Sequence, residues 1–346
     1  MKKLVCIFLA VITVLLSFAG CTPSQSTNQP TQPPEEEKVF KVLLIGQSLG
    51  QDTIWFLQQV MKTEMPDREF LVADIYKSLT LGDHRRNIMN NAAVYWYYKF
   101  NDTGYEKTED VTILSALQDE WWDLVIFNDA TYPTTREFEF KDGDHAFMIN
   151  YIKENTKPGV KLAYNATGAN PTDAELWGDG RRAAEADVLL RFANAFGGSR
   201  NLYYDKICAN IKKYIETNEE FDYVFHTGTA IQYASETHGV PEADLLRDYE
   251  LYRDYVHLSD FGRLLVAYQI YAQIFTPEKL ENVKVNLIKK EMRATSLEQN
   301  FGDLEITQKH KDAIIASVNY ALQHPNEVPP QTARPAAILE CPELLH

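Results

Sequence analysis

The sequence is poor in the residues that build metal and redox centres. Its 346 residues include four cysteines, Cys6, Cys21, Cys208 and Cys341, and none of them has the C-x-x-C spacing of a zinc or dithiol site. There is no H-E-x-x-H, no P-loop and no dinucleotide-binding glycine fingerprint. The aspartates do not fall in the order of a calcium loop. No metal and no cofactor is expected. Basic runs are missing too: 34 Lys and Arg stand against 49 Asp and Glu, a net charge of −15. Binding a phosphate backbone needs clustered cations, which excludes nucleic acid as a partner. The acidity itself speaks only for solubility. A bridge between Cys208 and Cys341 is open outside the cell, with nothing in the sequence to decide it. No internal repeat occurs.

Long apolar runs are equally scarce, and the one at the start has the anatomy of an export signal. Lys2 and Lys3 precede the apolar run Leu4 to Phe18, and the small residues Ala19 and Gly20 follow. The run is too short and too weakly flanked to be taken first as a membrane span. Phe18-Ala19-Gly20-Cys21 resembles a bacterial lipobox with Phe in the place of the more usual Leu, so residues 1–20 are expected to be cleaved and Cys21 lipidated. The alternative is an ordinary cleaved signal with an incidental cysteine. Residues 22–38, TPSQSTNQPTQPPEEEK, contain no large apolar side chain. They cannot bury enough surface to fold and are expected to form, with Cys21, an extended tether over 21–38. The expectation is a bacterial lipoprotein, exported to face the cell surface or periplasm and touching the membrane through its lipid alone. About 300 residues remain, enough for one large domain, expected at 39–328 with a loose tail at 329–346.

Within that domain, Val39 to Ile45 is a near-continuous apolar run of the kind found in a buried parallel strand. Further strands are expected at Phe70 to Tyr76, Trp122 to Phe127, Val160 to Tyr164 and Phe221 running into Ile231. Helices are expected at Asp52 to Lys62, with Asp52 as a cap, and at Asp144 to Glu154, Arg182 to Phe196, Asn201 to Ile215 and Ser259 to Phe275. Glu281 to Asn326 reads as a closing helical segment stopped by prolines. Alternating strands and helices predict a doubly wound, three-layer α/β/α sandwich with about five parallel strands, flavodoxin-like in plan. Ligands of such a sheet sit at the C-terminal strand ends.

The first strand runs directly into Gly46-Gln47-Ser48-Leu49-Gly50, a literal G-x-S-x-G, the pattern of the nucleophile elbow in α/β-hydrolases. Strand before and helix after would put the Ser48 hydroxyl at the mouth of the sheet, near helix N–H groups. A plain strand–turn–helix with Ser48 as a small turn residue is the alternative. A nucleophilic serine needs a base, and the base an orienting partner. Of eight histidines, His257 stands out in Arg253-Asp254-Tyr255-Val256-His257-Leu258, just before the strongest helix, with Asp254 three residues upstream.

A Gly-x-Ser turn after the first strand with Asp-x-x-His near the domain's end resembles the SGNH (GDSL-type) hydrolases. VLLIGQSLGQDTIWFLQQV, GTAIQYA and RDYVHLSDFGRLLVAYQIY are similar to segments of a poorly characterised bacterial branch of that superfamily, over about residues 39–325. An α/β-hydrolase would need strands before Ser48, for which the sequence leaves no room, so Gly50 reads as a turn residue. The resemblance implies a catalytic triad of Ser48, His257 and Asp254. It implies an oxyanion hole made by the N–H of Ser48, the N–H of Ser78 (or Gly82) and the side chain of Asn128. Three positions depart from the pattern: Gln47 where Asp or Asn is usual, Ser78 for a glycine, and Ile126 for the glycine two residues before Asn128. Gln47, His84 and Trp177 are possible substrate-lining residues, Trp177 by stacking on a sugar ring. Asn90 and Asn91 belong to the same expectation as His84. The aromatic run Tyr95 to Tyr98 reads as packing. The function implied is an anchored serine esterase or acetylesterase acting on a glycan or similar small ester. The alternative is a non-catalytic SGNH-fold lipoprotein that recognises a glycan or protein partner.

Overall fold

The computed structural model describes residues 39–131, 133–170, 196, 199–237, 251–253, 256–293 and 302–330. Expectations for the leader and tether (1–38, with Cys21), for the helix at 182–196, for Trp177 and for the tail beyond 330 lie outside the described residues. So do Asp254 and Cys341. Cys208 is buried, with a free thiol, among those that are described.

A seven-stranded sheet in the order β4-β3-β2-β1-β5-β6-β7 forms the middle layer. β1 (Val39–Gly46) is central. It pairs in parallel with β2 (Glu69–Tyr76) on one side and with β5 (Leu124–Phe127) on the other. Beyond β5 lie β6 (Lys161–Asn165) and β7 (Tyr223–Phe225), also parallel. These five strands match the expected doubly wound core. Val42, Leu43, Leu44 and Ile45 are all fully buried, because helices cover both faces of β1. That is why the strand reads as a continuous apolar run with no alternation.

β3 (Tyr95–Asn101) and β4 (Gly104–Val111) add an antiparallel hairpin outside β2. The aromatic run is therefore a strand as well as packing: Tyr95, Tyr97 and Tyr98 are buried while Trp96 is exposed and stacks on Tyr76. The hairpin closes on Asp102 and Thr103, where the Asn101 side chain accepts from the Thr103 amide at 3.0 Å. β4 is an edge strand, exposed along nearly its whole length and rich in Glu, Lys and Asp, which discourages pairing with other chains.

Among the described residues the α-helices are α1 (Ser48–Ile54), α2 (Leu57–Glu64), α3 (Leu81–Met89), α4 (Ile113–Asp119), α5 (Asp144–Asn155), α6 (Arg200–Tyr214), α7 (Thr227–Thr237), α8 (Asp260–Phe275) and α9 (Gln308–Gln323). α8 packs on α1, α2, α7 and α9, and α5 packs on α3 and α4. Several expectations are corrected. The helix expected over 52–62 is two helices broken at Trp55 and Phe56, and the first begins at Ser48. Asp52 is therefore an interior residue of α1, not a cap. The run from Phe221 to Ile231 is a three-residue strand followed by α7. Among the described residues of the segment 281–326 only α9 is helical; before it comes a small antiparallel pair, β8 (Leu287–Ile288) with β9 (Leu304–Glu305). That pair is held against α1 and α2 by the Trp55 indole N–H to the Met292 carbonyl at 2.8 Å and the Gln59 amide to the Leu287 carbonyl at 3.0 Å.

Candidate active site

β1 ends at the point where the chain order reverses between β2 and β5, the crevice where ligands of doubly wound sheets bind. Ser48 is the first residue of α1 there, with Gln47 as the N-cap. Gln47 is buried, and its Oε1 accepts from the Leu49 amide at 2.9 Å, the bond that a shorter Asp or Asn would make. Gln47 Nε2 donates to the Asp129 carbonyl at 3.5 Å. The departure from the usual residue is thus absorbed by a longer side chain making the same cap.

His257 approaches from the far end of the sequence, and its Nε2 lies 2.8 Å from Ser48 Oγ. Both residues are half-buried. The loop carrying His257 is closed by a β-bridge between Tyr252 and Leu258, by the Arg253 amide donating to the His257 carbonyl at 3.0 Å, and by the Ser259 amide donating to the Leu251 carbonyl at 3.0 Å. Ser259 then caps α8, accepting from the Gly262 amide at 3.1 Å. Gly262 is required: a Cβ there would stand 2.2 Å from the Leu251 carbonyl oxygen.

Asp52 fastens this loop to the serine helix. One turn below Ser48, its Oδ2 accepts from the Leu258 amide at 2.8 Å, the residue next to His257. Oδ1 accepts from Arg263 Nε at 2.8 Å and pairs with Arg263 Nη2 at 2.6 Å, with Arg253 Nη1 at 3.4 Å. Asp52 is 1 % exposed and Arg263 3 %. Burial alone would raise the carboxyl pKa, but Arg253, Arg263 and His257 outweigh it and hold Asp52 below the usual carboxylate range. Asp52 was not among the sequence candidates. Starting the helix at Ser48 would have revealed it, since a helix places i and i+4 on one face.

Asn128 follows β5 and is 1 % exposed. Its Nδ2 donates to the Asp129 carbonyl at 3.1 Å, and its Oδ1 is buried with no hydrogen-bond partner. The amide lies over the two glycines of the G-x-S-x-G. A Cβ on Gly46 would come within 2.6 Å of Asn128 Oδ1, and one on Gly50 within 2.2 Å. Gly50 is therefore not a turn residue; it sits inside α1 and makes room for Asn128. Ile126 is a fully buried strand residue paired with Leu44, so an apolar side chain suits that position.

Ser78 is exposed on the loop after β2, two residues past Tyr76, which is in register with Gly46. His84 is a correction: it is 1 % exposed, on α3, stacked on Tyr95 with Nδ1 2.9 Å from the Tyr95 hydroxyl. It belongs to the packing under the hairpin, and burial pulls its pKa down to about 4. Gly82 is likewise part of α3, and Asn90 and Asn91 end that helix in exposed positions. Among the described residues, no group of three or more His, Cys, Asp or Glu gathers as metal ligands would.

A family profile described as "Domain of unknown function (DUF4886)" matches residues 41–301. A crystal structure of a DUF4886 family protein from Bacteroides uniformis superposes with a TM-score of 0.62 at 23 % identity, covering 84 % of this chain and 97 % of that one. A Slackia heliotrinireducens protein described provisionally as an SGNH hydrolase gives 0.40 at 14 % identity, over 68 % of this chain and 99 % of the other. A catalytic mutant of an acetylxylan esterase from Geobacillus stearothermophilus gives 0.37 at 12 % identity, over 68 % and 94 %. The last two overlaps are too loose to bear on activity. No curated protein matches the chain. The mostly parallel sheet with helices on both faces is the doubly wound α/β/α sandwich that the alternation of strands and helices predicts.

Proposed function

For this chain, which belongs to the DUF4886 family, we propose an ester hydrolase of SGNH type that works through an acyl-enzyme on Ser48. The observation that carries it is the 2.8 Å contact between Ser48 Oγ and His257 Nε2 at the topological switch point. Ser48 Oγ bonds to the ester carbonyl carbon as its proton passes to His257 Nε2. Collapse of the tetrahedral intermediate breaks the carbon–oxygen bond to the alcohol, which leaves with that proton. Water repeats the attack, again giving its proton to His257, and releases the carboxylic acid and free Ser48. The Ser48 amide, at the start of α1, and the second N–H of the Asn128 amide supply donors for the oxyanion, with the Ser78 amide as the third. Asp254 fills the role of holding the imidazole tautomer. The location is the one expected from residues 1–38: an exported lipoprotein tethered through Cys21, acting on an ester of a glycan or similar small molecule outside the cytoplasm.

The test uses the purified full-length chain, a chromogenic acetate ester and a fluorophosphonate probe. Hydrolysis and labelling at Ser48, both lost in Ser48→Ala, are expected. A wild-type protein that is neither labelled nor active on any ester would remove the enzyme reading and leave a binding protein on the same fold.

A further inference from the structure

The peptide unit that joins Asp129 to Ala130 holds the side-chain amide of Asn128. We propose that the Asp129 carboxyl orients this unit, and that Asp129 is thereby the positioning residue for the Asn128 oxyanion donor. The assignment rests on the ester-hydrolase reading above.

The Asn128 amide is gripped at both ends. Its Oδ1 lies against Gly46 and Gly50, where added Cβ atoms would stand 2.6 and 2.2 Å away. One N–H of its Nδ2 donates to the Asp129 carbonyl at 3.1 Å. A side-chain amide is planar, so fixing Oδ1 and one N–H fixes the direction of the second N–H. That second N–H is the one available to an oxyanion. The same carbonyl accepts from Gln47 Nε2 at a longer 3.5 Å. Where the Asp129 carbonyl points therefore decides where the free N–H of Asn128 points.

A trans peptide is planar, and its C=O and N–H point in opposite directions. The Asp129 carbonyl is on one side of this unit and the Ala130 N–H on the other. Asp129 Oδ1 accepts from that Ala130 N–H at 2.7 Å. The carboxyl thus holds one end of a rigid lever, and the other end holds the oxyanion amide. Asp129 is 4 % exposed, which leaves little room for water to replace the bond.

The surroundings suit a carboxyl that acts as an acceptor rather than as a fixed charge. Burial pushes its pKa up to about 7, helped by Glu139 and Asp142 and opposed by the Ala130 amide and Arg136. Tyr164, fully buried on β6, feels the same carboxyl from the sheet side. Neutral or ionised, the group still accepts through Oδ1. An asparagine in its place would keep that acceptor and carry no charge against Glu139 and Asp142.

The experiment measures kcat and KM on p-nitrophenyl acetate, fluorophosphonate labelling of Ser48 and Tm in the full-length chain. Loss of an oxyanion-hole donor costs about 100–1000-fold in kcat, so a donor misaimed by Asp129→Ala should cost at least about 10-fold, with KM within about 3-fold of wild type. Asp129→Leu, nearer to aspartate in volume, serves if the alanine variant does not fold. Asp129→Asn should keep kcat within about 3-fold of wild type, because the Oδ1 acceptor remains. In an Asn128→Ala background the donor is already gone, so adding Asp129→Ala should lower kcat by no more than about 3-fold further. A folded Asp129→Ala or Asp129→Leu with wild-type kcat overturns the proposal. So does an Asp129→Asn as impaired as Asp129→Ala, or a loss equally large in the Asn128→Ala background, which is what a merely structural residue would give. All three leave the hydrolase standing. A wild-type chain with neither labelling nor hydrolysis overturns the hydrolase reading and the role of Asp129 with it.

Discussion

Replacing Asp52 by Asn tests whether the serine helix and the histidine loop are held together by a buried charge. The change is nearly isosteric, so it removes charge and one acceptor and little volume. What it strands is Arg263, 3 % exposed, which keeps Asp260 at 3.5 Å as its other carboxylate. The new amide also brings N–H groups to face either the Leu258 amide or the guanidinium, both of them donors. Breaking one side of a buried ion pair costs about 3–5 kcal/mol. The remaining Asp260 contact argues for the lower end, about 3 kcal/mol, a large share of the roughly 5–15 kcal/mol by which domains are stable. Urea denaturation followed by circular dichroism reads this directly. Kinetics give the second readout: a displacement of the His257 loop by about 1 Å is worth roughly 100-fold in rate, so kcat should fall with KM little changed. A loss below about 1 kcal/mol with wild-type kcat would refute the clasp. A clear stability loss with wild-type kcat would keep Asp52 as a structural residue only and remove it from the positioning of His257. The carboxyl is held below its usual 3.8. Its contribution is therefore complete above that value and is lost as the pH falls through the depressed folded value, a loss that Asp52→Asn should abolish.

Gly50→Ala should destabilise by about 1–3 kcal/mol, seen as a lowered Tm, because its Cβ would stand 2.2 Å from Asn128 Oδ1 and 3.0 Å from Leu44 Cδ2. Asn128→Ala in the same chain should recover part of that loss, and no recovery would deny the contact. His84 and His145, each pulled by burial from 6.5 to about 4, stay neutral in the fold while the unfolded chain takes up protons. These two histidines alone cost up to about 2–3 kcal/mol per pH unit between about pH 6.5 and 4, opposed by Asp129 and Asp74, whose burial-raised carboxyls take up protons in the fold over the same range; His84→Gln should remove its share of the loss, and an unchanged Tm–pH profile in that variant would contradict it. Cys21→Ser should move the chain from the membrane to the soluble fraction of a bacterial host, and unchanged membrane recovery would exclude the lipid anchor.

What was legible in the sequence is what burial writes there. β1, β2, β5 and β6 are apolar runs because both faces of the sheet are covered. Ser259 to Phe275 reads as a helix because α8 is packed on several sides and keeps its period. The antiparallel hairpin escaped because its outer strand, GYEKTEDV, is exposed almost throughout and carries no alternation, while its inner strand is aromatic on both faces. The break at Trp55 and Phe56 escaped because a helical period continues across it. That one error displaced the start of α1 and hid Asp52, whose role depends on standing a turn below Ser48. His84 misled in the opposite way. A polar residue after a strand end suggested the site, whereas a capping box from Thr80 and Asp83 starts α3 and turns His84 inward onto Tyr95.

The glycines and Gln47 together account for the G-x-S-x-G without an α/β-hydrolase elbow. Gly46, the last residue of β1, and Gly50, inside α1, both make room for the Asn128 amide, so one side chain packed into the strand–helix corner accounts for both glycines. Gln47 has a second consequence. Ser48 has a single hydroxyl proton and two neighbours able to accept it, His257 Nε2 at 2.8 Å and Gln47 Oε1 at 3.3 Å. If the proton points to His257, Nε2 is bare, the ring's proton is on Nδ1, and the pair is ready for proton transfer. If it points to Gln47, Nε2–H donates to Ser48 Oγ and the imidazole cannot act as a base. The 2.8 Å separation is common to both arrangements, so the choice turns on how strongly Gln47 Oε1 competes for the Ser48 proton. Gln47 Oε1 is already engaged by the Leu49 amide at 2.9 Å, which lowers its pull on the Ser48 proton. Gln47, where the sequence departs from the SGNH pattern, thus caps the helix that begins at Ser48, and the Leu49 amide has a prior claim on the oxygen that would compete with His257 for the Ser48 proton.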